Sequence, residues 1–491
     1  MNDGEFFGRL AAQPASKPAL IGDGITLDYG TLLREVARLA TLVRETRVRV
    51  LATLLDNGPA WVIADLAALR AGIVHVPIPA FFTPEQAAYV IAAAGIDAML
   101  SVTPQPRWRV NGCDVAGAQL SLCTRNSPAV AVIDGTTKVT FTSGTTGTPK
   151  GVCLSAASML TVADGVARAT SALRIERHLC ALPLAVLLEN VAGVYAPLLA
   201  GAASVVPPLA KLGVEGSSRF DPSLLDSAAR EHAADSVIVL PQMLRAWSAW
   251  RSASTSRSAL SLRFIAVGGA AVGAGALAEA HDVGLPAFEG YGLSEGASVQ
   301  TLNLPDANRP GSVGRALPHA RVRIAFDGEI EITGSAMLGY LGELPSVHAW
   351  WPTGDLGSID ADGYVYVHGR KKQVLITAFG RNVSPEWVET ALAAQSPIAH
   401  AVVQGDGKPA LEAVLWPLPE DAGDDELASA VLRANAALPD YARVARFVRA
   451  RVPYTKEAGV CTANGRPLRR VIETMHADAF DSVSRLSNVL L

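Results

Sequence analysis

The chain has 491 residues, of which 49% are hydrophobic and 18% are charged, and its formal net charge at pH 7 is −4. This length exceeds what one compact core supports, so we expect two to four folding units. The weakly acidic balance gives no reason to expect nucleic-acid binding. The five cysteines are scattered without the paired Cys/His spacing of a metal site, a usage typical of reduced thiols.

The N-terminal residues, Met1 to Glu5, lack the basic and then apolar run of a secretory signal peptide. No uninterrupted apolar stretch reaches the roughly 18 residues that a membrane-spanning helix needs. We therefore expect a cytoplasmic protein without a membrane span. The sequence does not indicate an oligomeric state.

The first part of the chain alternates short strands with helices. The run Asp56-Asn57-Gly58-Pro59 offers a cap candidate and a first-turn proline to a helix that ends at Gly72. The pattern then predicts a strand at 73–78, a helix at 84–94, and strands at 98–102 and 139–141. A second series of the same kind runs from residue 179 to residue 267. Strands that alternate with helices favour parallel sheets covered on both faces.

The pattern changes near residue 313 and again after residue 370. Short strands at 321–326, 329–333 and 365–368 predict a small β-rich unit. Beyond it, a helix that begins at Ser384 and Pro385, a hairpin, and a further helix and strand predict a separate α+β domain. We therefore expect an α/β protein with an N-terminal region at 1–370 and a C-terminal domain at 371–491.

A loop rich in glycine and hydroxyl side chains follows the strand at 139–141. Its glycines let backbone N–H groups approach an anion, its hydroxyls donate to oxygens, and Lys150 adds positive charge. It does not match the P-loop of NTPases, since Pro149 precedes the lysine and Gly151 follows it. We interpret it as a phosphate loop that leads to a helix capped by Ser155, and a flexible linker is the alternative. The loop residues expected to contact phosphate are Thr142, Ser143, Gly144, Thr145, Thr146, Gly147 and Lys150.

Four further clusters contain side chains suited to a nucleotide. Tyr291 stands between glycines and offers a stacking face, and Glu295 offers a hard oxygen ligand for Mg²⁺. Asp355 lies in a Thr-Gly-Asp turn, and its carboxylate could accept hydrogen bonds from the two hydroxyls of a ribose. The other two clusters are the small residues Gly268-Gly269-Ala270-Ala271 and the basic run Gly369-Arg370-Lys371-Lys372. Taken singly, each cluster is also compatible with an ordinary turn or a solvated loop.

Together these clusters, in this order, resemble the adenylate-forming superfamily of acyl-CoA synthetases, nonribosomal peptide adenylation domains and luciferases. The resemblance extends from about Pro18 to about Arg470, and the loop from Thr142 to Gly151 is its most specific part. The run Gly380-Arg381-Asn382-Val383-Ser384-Pro385-Glu386 resembles the acyl-CoA synthetase branch, particularly bacterial long-chain types.

The resemblance implies two doubly wound α/β subdomains and a small β-barrel in the N-terminal domain, followed by a mobile C-terminal lid. It implies that the Thr142–Lys150 loop holds the β- and γ-phosphates of ATP and that Thr142 and Glu295 bind Mg²⁺. It also implies that Asp355 and Arg370 hold the ribose and that Lys372 is the hinge. The residues implied to border the nucleotide elsewhere are Gly269, Ala270, Tyr291, Gly292 and Ser294.

The sequence departs from the family near its C-terminus, where a lysine normally reaches the α-phosphate and the substrate carboxylate. Arg466 occupies that region here, and Lys456 lies ten residues earlier. Arginine keeps the charge but is planar and bulkier. Three outcomes follow: Arg466 performs the first step, Lys456 performs it, or first-step activity is impaired.

The segment that follows Leu182 carries no aspartate of the kind that amino-acid-activating relatives use to bind an amine. Apolar residues dominate it, so an apolar pocket for a fatty or aryl acid is expected, with Leu187, Leu188 and Val191 lining it. The Glu189 carboxylate could pair with an amine of the substrate. The alternative is a carboxylate that is hydrogen-bonded within the protein. The histidines that lack triad-like companions are assigned structural roles; they are His75, His178 and His319.

We expect an ATP-dependent acid–thiol ligase that forms an acyl-adenylate, releases pyrophosphate and transfers the acyl group to CoA. Transfer to the phosphopantetheine of an acyl carrier protein is the nearest alternative. A protein that only binds nucleotide or acyl-adenylate is a third, because of Arg466. A P-loop kinase or ATPase is disfavoured by the missing Gly-Lys-Ser/Thr.

Overall fold

The computed structural model describes residues 1–22, 24–128, 130–142, 149–216, 219–254, 259–378, 382–462 and 466–483. The helices and strands of the first subdomain are α1 (Asp3–Ala11), β1 (Pro18–Gly22), β2 (Ile25–Asp28), α2 (Tyr29–Glu45), β3 (Val50–Leu54), α3 (Pro59–Ala71), β4 (Val74–Pro77), α4 (Pro84–Ala93), β5 (Ala98–Ser101), β6 (Arg109–Val115), β7 (Ala118–Thr124), β8 (Lys138–Thr142), β9 (Lys150–Leu154) and α5 (Ala156–Ala169).

The second series begins with β10 and includes one π-helix. Its elements are β10 (Arg177–Leu179), the π-helix (Glu189–Tyr195), α6 (Ala196–Ala200), β11 (Ala203–Val205), β12 (Val214–Glu215), β13 (Arg219–Phe220), α7 (Pro222–Glu231), β14 (Ser236–Val239), α8 (Pro241–Ala253), β15 (Phe264–Val267), α9 (Ala274–Asp282), β16 (Ala287–Leu293), β17 (Ser298–Leu302) and β18 (Arg315–Ala316).

The β-rich unit and the C-terminal domain complete the chain. Their elements are β19 (Arg321–Ile324), β20 (Glu329–Thr333), β21 (Gly339–Tyr340), β22 (Trp351–Ile359), β23 (Val365–Arg370), β24 (Leu375–Ile376), β25 (Asn382–Val383), α10 (Pro385–Ala393), β26 (Ile398–Gln404), β27 (Leu411–Pro417), α11 (Asp424–Ala436), β28 (Val444–Arg449) and α12 (Arg469–Val483).

Two large mixed sheets organise the N-terminal region. Among the described residues, one sheet has the strand order β18-β17-β16-β15-β14-β10-β11-β1-β2 and the other has the order β21-β9-β8-β4-β3-β5-β7-β6. The central strands of both sheets pair in parallel and the outer strands pair antiparallel. Apolar side chains fill three layers: between the two sheets, under α7 to α9, and under α4. This is the predicted α/β architecture, but the sheets are parallel only in their central strands and mixed as a whole.

The helix boundaries follow from local sequence chemistry. Proline at the first turn of α3 suits a position whose N–H has no partner, and Gly72 ends that helix at φ 70°. Helix α5 begins after Ser155, whose hydroxyl accepts from the N–H of Ser158. Both predictions from the sequence are confirmed.

The β-rich unit that replaces the α/β pattern is a four-stranded antiparallel sheet, β19-β20-β22-β23, among the described residues. The C-terminal domain contains the sheet β26-β27-β28 with α10 and α11 on one face and α12 on the other. Within the described part of the chain, no helix is long and apolar enough to cross a membrane.

Candidate active site

The phosphate loop is the turn of a β-hairpin. Strands β8 and β9 pair antiparallel, and Thr142 stands opposite Lys150 at the open end. Strand β9 therefore separates the loop from α5, whereas the sequence pattern led from the loop directly to the helix. The described residues at the two ends of the loop, Thr142 and Lys150, therefore belong to strands. Ser143, Gly144, Thr145, Thr146 and Gly147 lie outside the described residues.

Lys150 and Glu295 both contact the side chain of Tyr340. The Nζ atom of Lys150 lies 4.9 Å from the ring centroid of Tyr340, and the Tyr340 hydroxyl donates to Glu295 Oε1 at 2.8 Å. Burial and the Glu295 charge raise the pKa of Tyr340, so this hydroxyl remains protonated and donates. Tyr340 was missed by the sequence analysis, because it lies 45 residues from Glu295 in a two-residue strand.

The Glu295 position fits a magnesium ion bound to phosphate. Glu295 is half-buried in the short turn Ser294–Gly296 after β16, and the N–H of Met337 donates to its carbonyl. One carboxylate oxygen accepts from Tyr340, and the other has no hydrogen-bond partner in the described ranges. Carboxylate oxygen is the ligand type that Mg²⁺ prefers. Thr142, at the end of β8, supplies a half-buried hydroxyl from the loop side.

Asp355 is held between Arg370 and Tyr291. Strands β22 and β23 place Asp355 opposite Arg370, whose Nε lies 2.9 Å from Asp355 Oδ1. The Tyr291 hydroxyl donates to Asp355 Oδ2 at 2.6 Å. Burial raises the pKa of Asp355, and Arg370, Tyr291 and Arg466 oppose that rise. We call Tyr291, Asp355 and Arg370 the Asp355 cluster; it offers a carboxylate and a guanidinium at one edge of the site.

Small residues make room beside this cluster. A side chain at Gly292 would overlap the carbonyl oxygen of Ser298 on the adjacent strand, so only glycine fits there. Gly269 has φ +85°, a conformation that favours glycine, and Ala270 beside it is exposed. The buried Glu289 fixes this turn by accepting from the N–H of Val272 at 3.0 Å. The turn can therefore pass close to a flat ring.

The cations that follow β23 differ in their relation to the Asp355 cluster. Arg466 is exposed, the Thr462 N–H donates to its carbonyl at 2.8 Å, and its charge lowers the pKa of Asp355 and of Glu386. Lys456 is half-buried in an earlier turn of the C-terminal domain. Lys372 lies in the short turn Lys371–Gln373 directly after β23. Of the two rival cations, Arg466 is the one whose charge acts on the Asp355 cluster.

A cavity of about 70 Å³ lies beside strands β14 and β15. We call it the β14–β15 cavity; its lining includes Leu188, Ser236, Ile238, Phe264, Ala266 and His178. Leu188 connects the cavity with the turn, because its Cδ2 lies 4.0 Å from where a Cβ at Gly268 would stand. Of the three expected pocket residues, Leu188 lines the cavity, while Leu187 and Val191 are buried in the core between the sheets.

His178, Cys180 and Glu189 approach one another as metal ligands would, but their atoms already have partners. His178 Nε2 lies 3.1 Å from Glu189 Oε1, and Glu189 Oε2 accepts from Leu182 N–H. Cys180 donates to the carbonyl of Gly193, and burial raises the pKa of its thiol. The group is a hydrogen-bonded cluster beside the cavity. Glu189 is therefore a hydrogen-bonded carboxylate.

Comparison with known proteins agrees with this geometry. The family model described as "AMP-binding enzyme" matches residues 7–341, and that described as "AMP-binding enzyme C-terminal domain" matches residues 372–485. The chain belongs to the AMP-binding enzyme family. The AMP-binding enzymes form the adenylate-forming superfamily that the motifs resemble.

Two curated relatives are similar over most of their length. A long-chain-fatty-acid–CoA ligase of Mycobacterium bovis is 28% identical, with 86% of each chain covered. A feruloyl-CoA synthase of Amycolatopsis is 31% identical, with 78% of this chain and 81% of the relative covered. The family models and these relatives identify this AMP-binding enzyme as an AMP-forming acid–thiol ligase of the acyl-CoA synthetase branch.

Solved structures share the fold. An anthranilate CoA ligase in complex with anthranoyl-AMP matches with a TM-score of 0.79 at 18% identity, covering 98% of both chains. An O-succinylbenzoate CoA synthetase of Bacillus subtilis, in complex with ATP and magnesium, matches with a TM-score of 0.75 at 23% identity, covering 95% of this chain and 99% of that one. These likenesses show the architecture of this AMP-binding enzyme.

Proposed function

We propose that this enzyme activates a short apolar carboxylic acid with ATP and transfers the acyl group to the thiol of CoA. The β14–β15 cavity carries this proposal, because its lining is mostly apolar and one lining residue, Leu188, lies beside the turn at Gly268. Its volume of about 70 Å³ is under half of the ~150 Å³ that holds a benzene molecule in an apolar cavity. A long fatty chain would not fit.

In the first step, a carboxylate oxygen of the acid attacks the α-phosphorus of ATP, and the bond to pyrophosphate breaks. Both reactants are anions, so the protein's contribution is positioning and charge neutralisation. Asp355 would accept from the ribose hydroxyls while Arg370 keeps the carboxylate in place. Lys150 would meet the departing phosphates at the mouth of the hairpin, and Arg466 would approach from the lid.

Magnesium, when bound by Glu295 and Thr142, would neutralise the charge of the phosphate chain. The free carboxylate oxygen of Glu295 supports this assignment. Tyr340 would orient Glu295 by donating to its other oxygen.

In the second step, the thiol sulfur of CoA attacks the acyl carbon, the thiol proton leaves, and AMP departs. Water must be kept from the acyl-adenylate in the meantime, which gives the lid a purpose. Lys372 would serve as the hinge, since it lies in the turn that directly follows the last strand of the N-terminal region.

Pyrophosphate release measured over a panel of straight-chain, aryl and amino acids tests the proposal. We expect the highest kcat/KM with short straight-chain acids, and a strict preference for long-chain or amino acids would contradict it. Supplying CoA or a holo acyl carrier protein as acceptor then separates the two possible thiols.

A pair of variants tests the cavity itself. Phe264→Ala should move the preferred chain length upward, because Phe264 lines the cavity. Leu187→Ala is the matched control, since Leu187 is buried in the core and does not line it. An equal shift in both variants, or none in Phe264→Ala, would remove the cavity from acid binding.

A further inference from the structure

The Thr-Gly-Asp turn that carries Asp355 is a bulge in strand β22. The register of β22 against β20 shifts between Glu329 and Glu331, so extra residues of β22 leave the ladder there. The N–H of Gly354 lies in this bulge and donates to Glu329 Oε1 at 2.7 Å. Gly354 has φ +76°, a conformation that favours glycine. A side chain of the neighbouring strand therefore holds the backbone directly before Asp355.

The other oxygen of Glu329 holds the strand that carries Arg370. Glu329 Oε2 accepts from Lys371 Nζ at 2.7 Å, and Lys371 directly follows Arg370 at the end of β23. Glu329 itself is buried, with 8% of its surface exposed. Gly354 precedes Asp355 in the chain as Lys371 follows Arg370. One buried carboxylate thus fixes the backbone on both sides of the Asp355–Arg370 pair.

Lys371 is also the last residue before the connection to the C-terminal domain. Leu375 already pairs with Val383 of that domain, so the connection consists of residues 372–374, which we call the connector. Lys371 has a second carboxylate partner, Asp327, which lies 2.6 Å away in the turn between β19 and β20. Both partners of Lys371 belong to the N-terminal region. A rotation of the C-terminal domain would therefore take place in the connector, and the strand before it would stay fixed.

The proposed reaction gives this arrangement a purpose. The acyl-adenylate forms in the first step and is consumed in the second, and the C-terminal domain moves between the two steps. Asp355 has to keep its position beside Arg370 throughout, because the ribose of the intermediate stays bound to it. An anchor between this pair and the connector keeps the motion of the domain from reaching the ribose.

We propose that Glu329 is a positioning residue that keeps the nucleotide held while the C-terminal domain turns. Its contact with the Gly354 N–H fixes the turn that carries Asp355, and its contact with Lys371 fixes the chain before the connector. The inference rests on the proposed function and adds to it the residue that separates the ribose site from the moving domain.

Binding of AMP alone tests the ribose side, because AMP carries the ribose and requires neither acid nor magnesium. By equilibrium dialysis, Glu329→Gln should raise the Kd for AMP at least about 3-fold, since the amide still accepts from Gly354 but loses the ion pair with Lys371. Glu329→Ala leaves the Gly354 N–H without its partner and should raise this Kd by about 10-fold or more. Asp327→Asn is the matched control. It removes the exposed partner of Lys371 and should change the Kd by less than about 2-fold.

The product balance tests the connector side. With ATP, magnesium, CoA and the best acid of the pyrophosphate panel, the unmodified enzyme should form AMP and acyl-CoA in equal amounts. Lys371→Met should form at least about twice as much AMP as acyl-CoA, because acyl-adenylate that escapes during the domain motion is hydrolysed. A general loss of stability would lower both products together and leave their ratio unchanged.

Each result has a distinct meaning. An unchanged Kd for AMP in both Glu329 variants, an equal rise in Asp327→Asn, or equal amounts of AMP and acyl-CoA from Lys371→Met overturns the inference and leaves the proposed function standing. Failure of the unmodified protein to bind AMP, or to form a thioester with any acid, overturns the proposed function as well. If the Glu329 variants do not fold, Lys371→Met at its exposed position still decides the matter.

Discussion

At the scale of single residues, charge is placed around Asp355 from two domains. Arg370 pairs with it from the adjacent strand, and the charge of Arg466 in the C-terminal domain lowers its pKa. The same two arginines also act on Glu386, at the first turn of α10. Burial raises the pKa of the Glu386 carboxyl, and the charges of Arg370 and Arg466 oppose that rise. An arginine in this position can neutralise an anion as the usual lysine does, but with a planar, forked donor set.

Replacing Arg466 should therefore remove the first step selectively. We expect Arg466→Ala to lower acid-dependent pyrophosphate release by at least about 100-fold, the usual effect of losing a group that neutralises transition-state charge. Thioester formation from supplied acyl-adenylate should be nearly unchanged. Lys456→Ala is the matched control. Unchanged pyrophosphate release in Arg466→Ala would exclude Arg466 from the mechanism.

Glu289 provides a pH-dependent test of the turn at 269–272. Burial raises its pKa from 4.5 to about 7, against the donation from Val272 N–H and the charge of Arg245. Because the folded state then binds the proton more tightly than the unfolded state, this group favours folding below about pH 4.5. That contribution to stability is lost as the pH rises through about 7.

Glu289→Gln removes this titration. The variant should have a free energy of unfolding about 2–3 kcal/mol above that of the unmodified protein at pH 8, and the difference should vanish near pH 5. Urea unfolding at both pH values measures it. Glu279→Gln, at an exposed position of α9, is the control and should show no such divergence. A difference that is constant with pH would refute the buried-carboxyl explanation.

At the scale of elements, a buried polar network joins the phosphate hairpin to the π-helix. Lys138, on β8, lies 2.7 Å from Asp65 of α3 and donates to Asn190 of the π-helix. Asp65 also accepts from Tyr195 at 2.7 Å and pairs with His75 of β4. Burial alone would raise the pKa of Asp65, but Lys138 and His75 lower it, so the carboxyl is charged.

Removing only the positive charge of the Lys138–Asp65 pair should lower the free energy of unfolding more than removing both charges. Lys138→Met leaves the Asp65 charge buried without its cation and should lower the free energy of unfolding by about 3–5 kcal/mol. The double variant Lys138→Met with Asp65→Asn should recover a large part of that loss. Denaturant unfolding of both variants provides the comparison, and equal losses would contradict an ionised Asp65.

Sequence patterns predict the elements that have strong local signals. Proline and glycine mark both ends of α3, and Ser155 marks the start of α5, because caps and left-handed positions depend on neighbouring residues alone. Strand β9 was missed because its five residues follow the loop without a turn signal. The contacts of Tyr340 with Glu295 and of Glu329 with Gly354 depend on strand register, which local patterns do not specify.

At the scale of the whole molecule, the C-terminal domain is docked against the last strand of the N-terminal region. Gly369, beside Arg370, has φ +135°, and a Cβ there would overlap the Ser384 hydroxyl at the start of α10. The other end of α10 also contacts the N-terminal region. A Cβ at Gly273 would lie 3.1 Å from Thr390, and a Cβ at Gly275 would lie 3.7 Å from Ala394. In this arrangement of the two domains, the charge of Arg466 lowers the pKa of Asp355.

A single methyl group at Gly369 should disturb this pose. We expect Gly369→Ala to reduce pyrophosphate release by roughly 10-fold or more, because misplacing a lid group by about 1 Å can cost up to 100-fold. Thioester formation from supplied acyl-adenylate should fall less. Gly363→Ala is the matched control, since Gly363 also has positive φ but has open space around its Cβ position. Equal effects of the two substitutions would show that backbone strain alone is responsible.

On the proposed function, the Asp355 cluster, the Lys150 hairpin and the β14–β15 cavity form one acid-activating site. The most direct measurement is the product balance with ATP, magnesium, CoA and a short straight-chain acid. We predict equal amounts of AMP, pyrophosphate and acyl-CoA, with none of them formed when the acid is omitted. Formation of ADP and phosphate, or release of AMP that does not depend on the acid, would contradict the account.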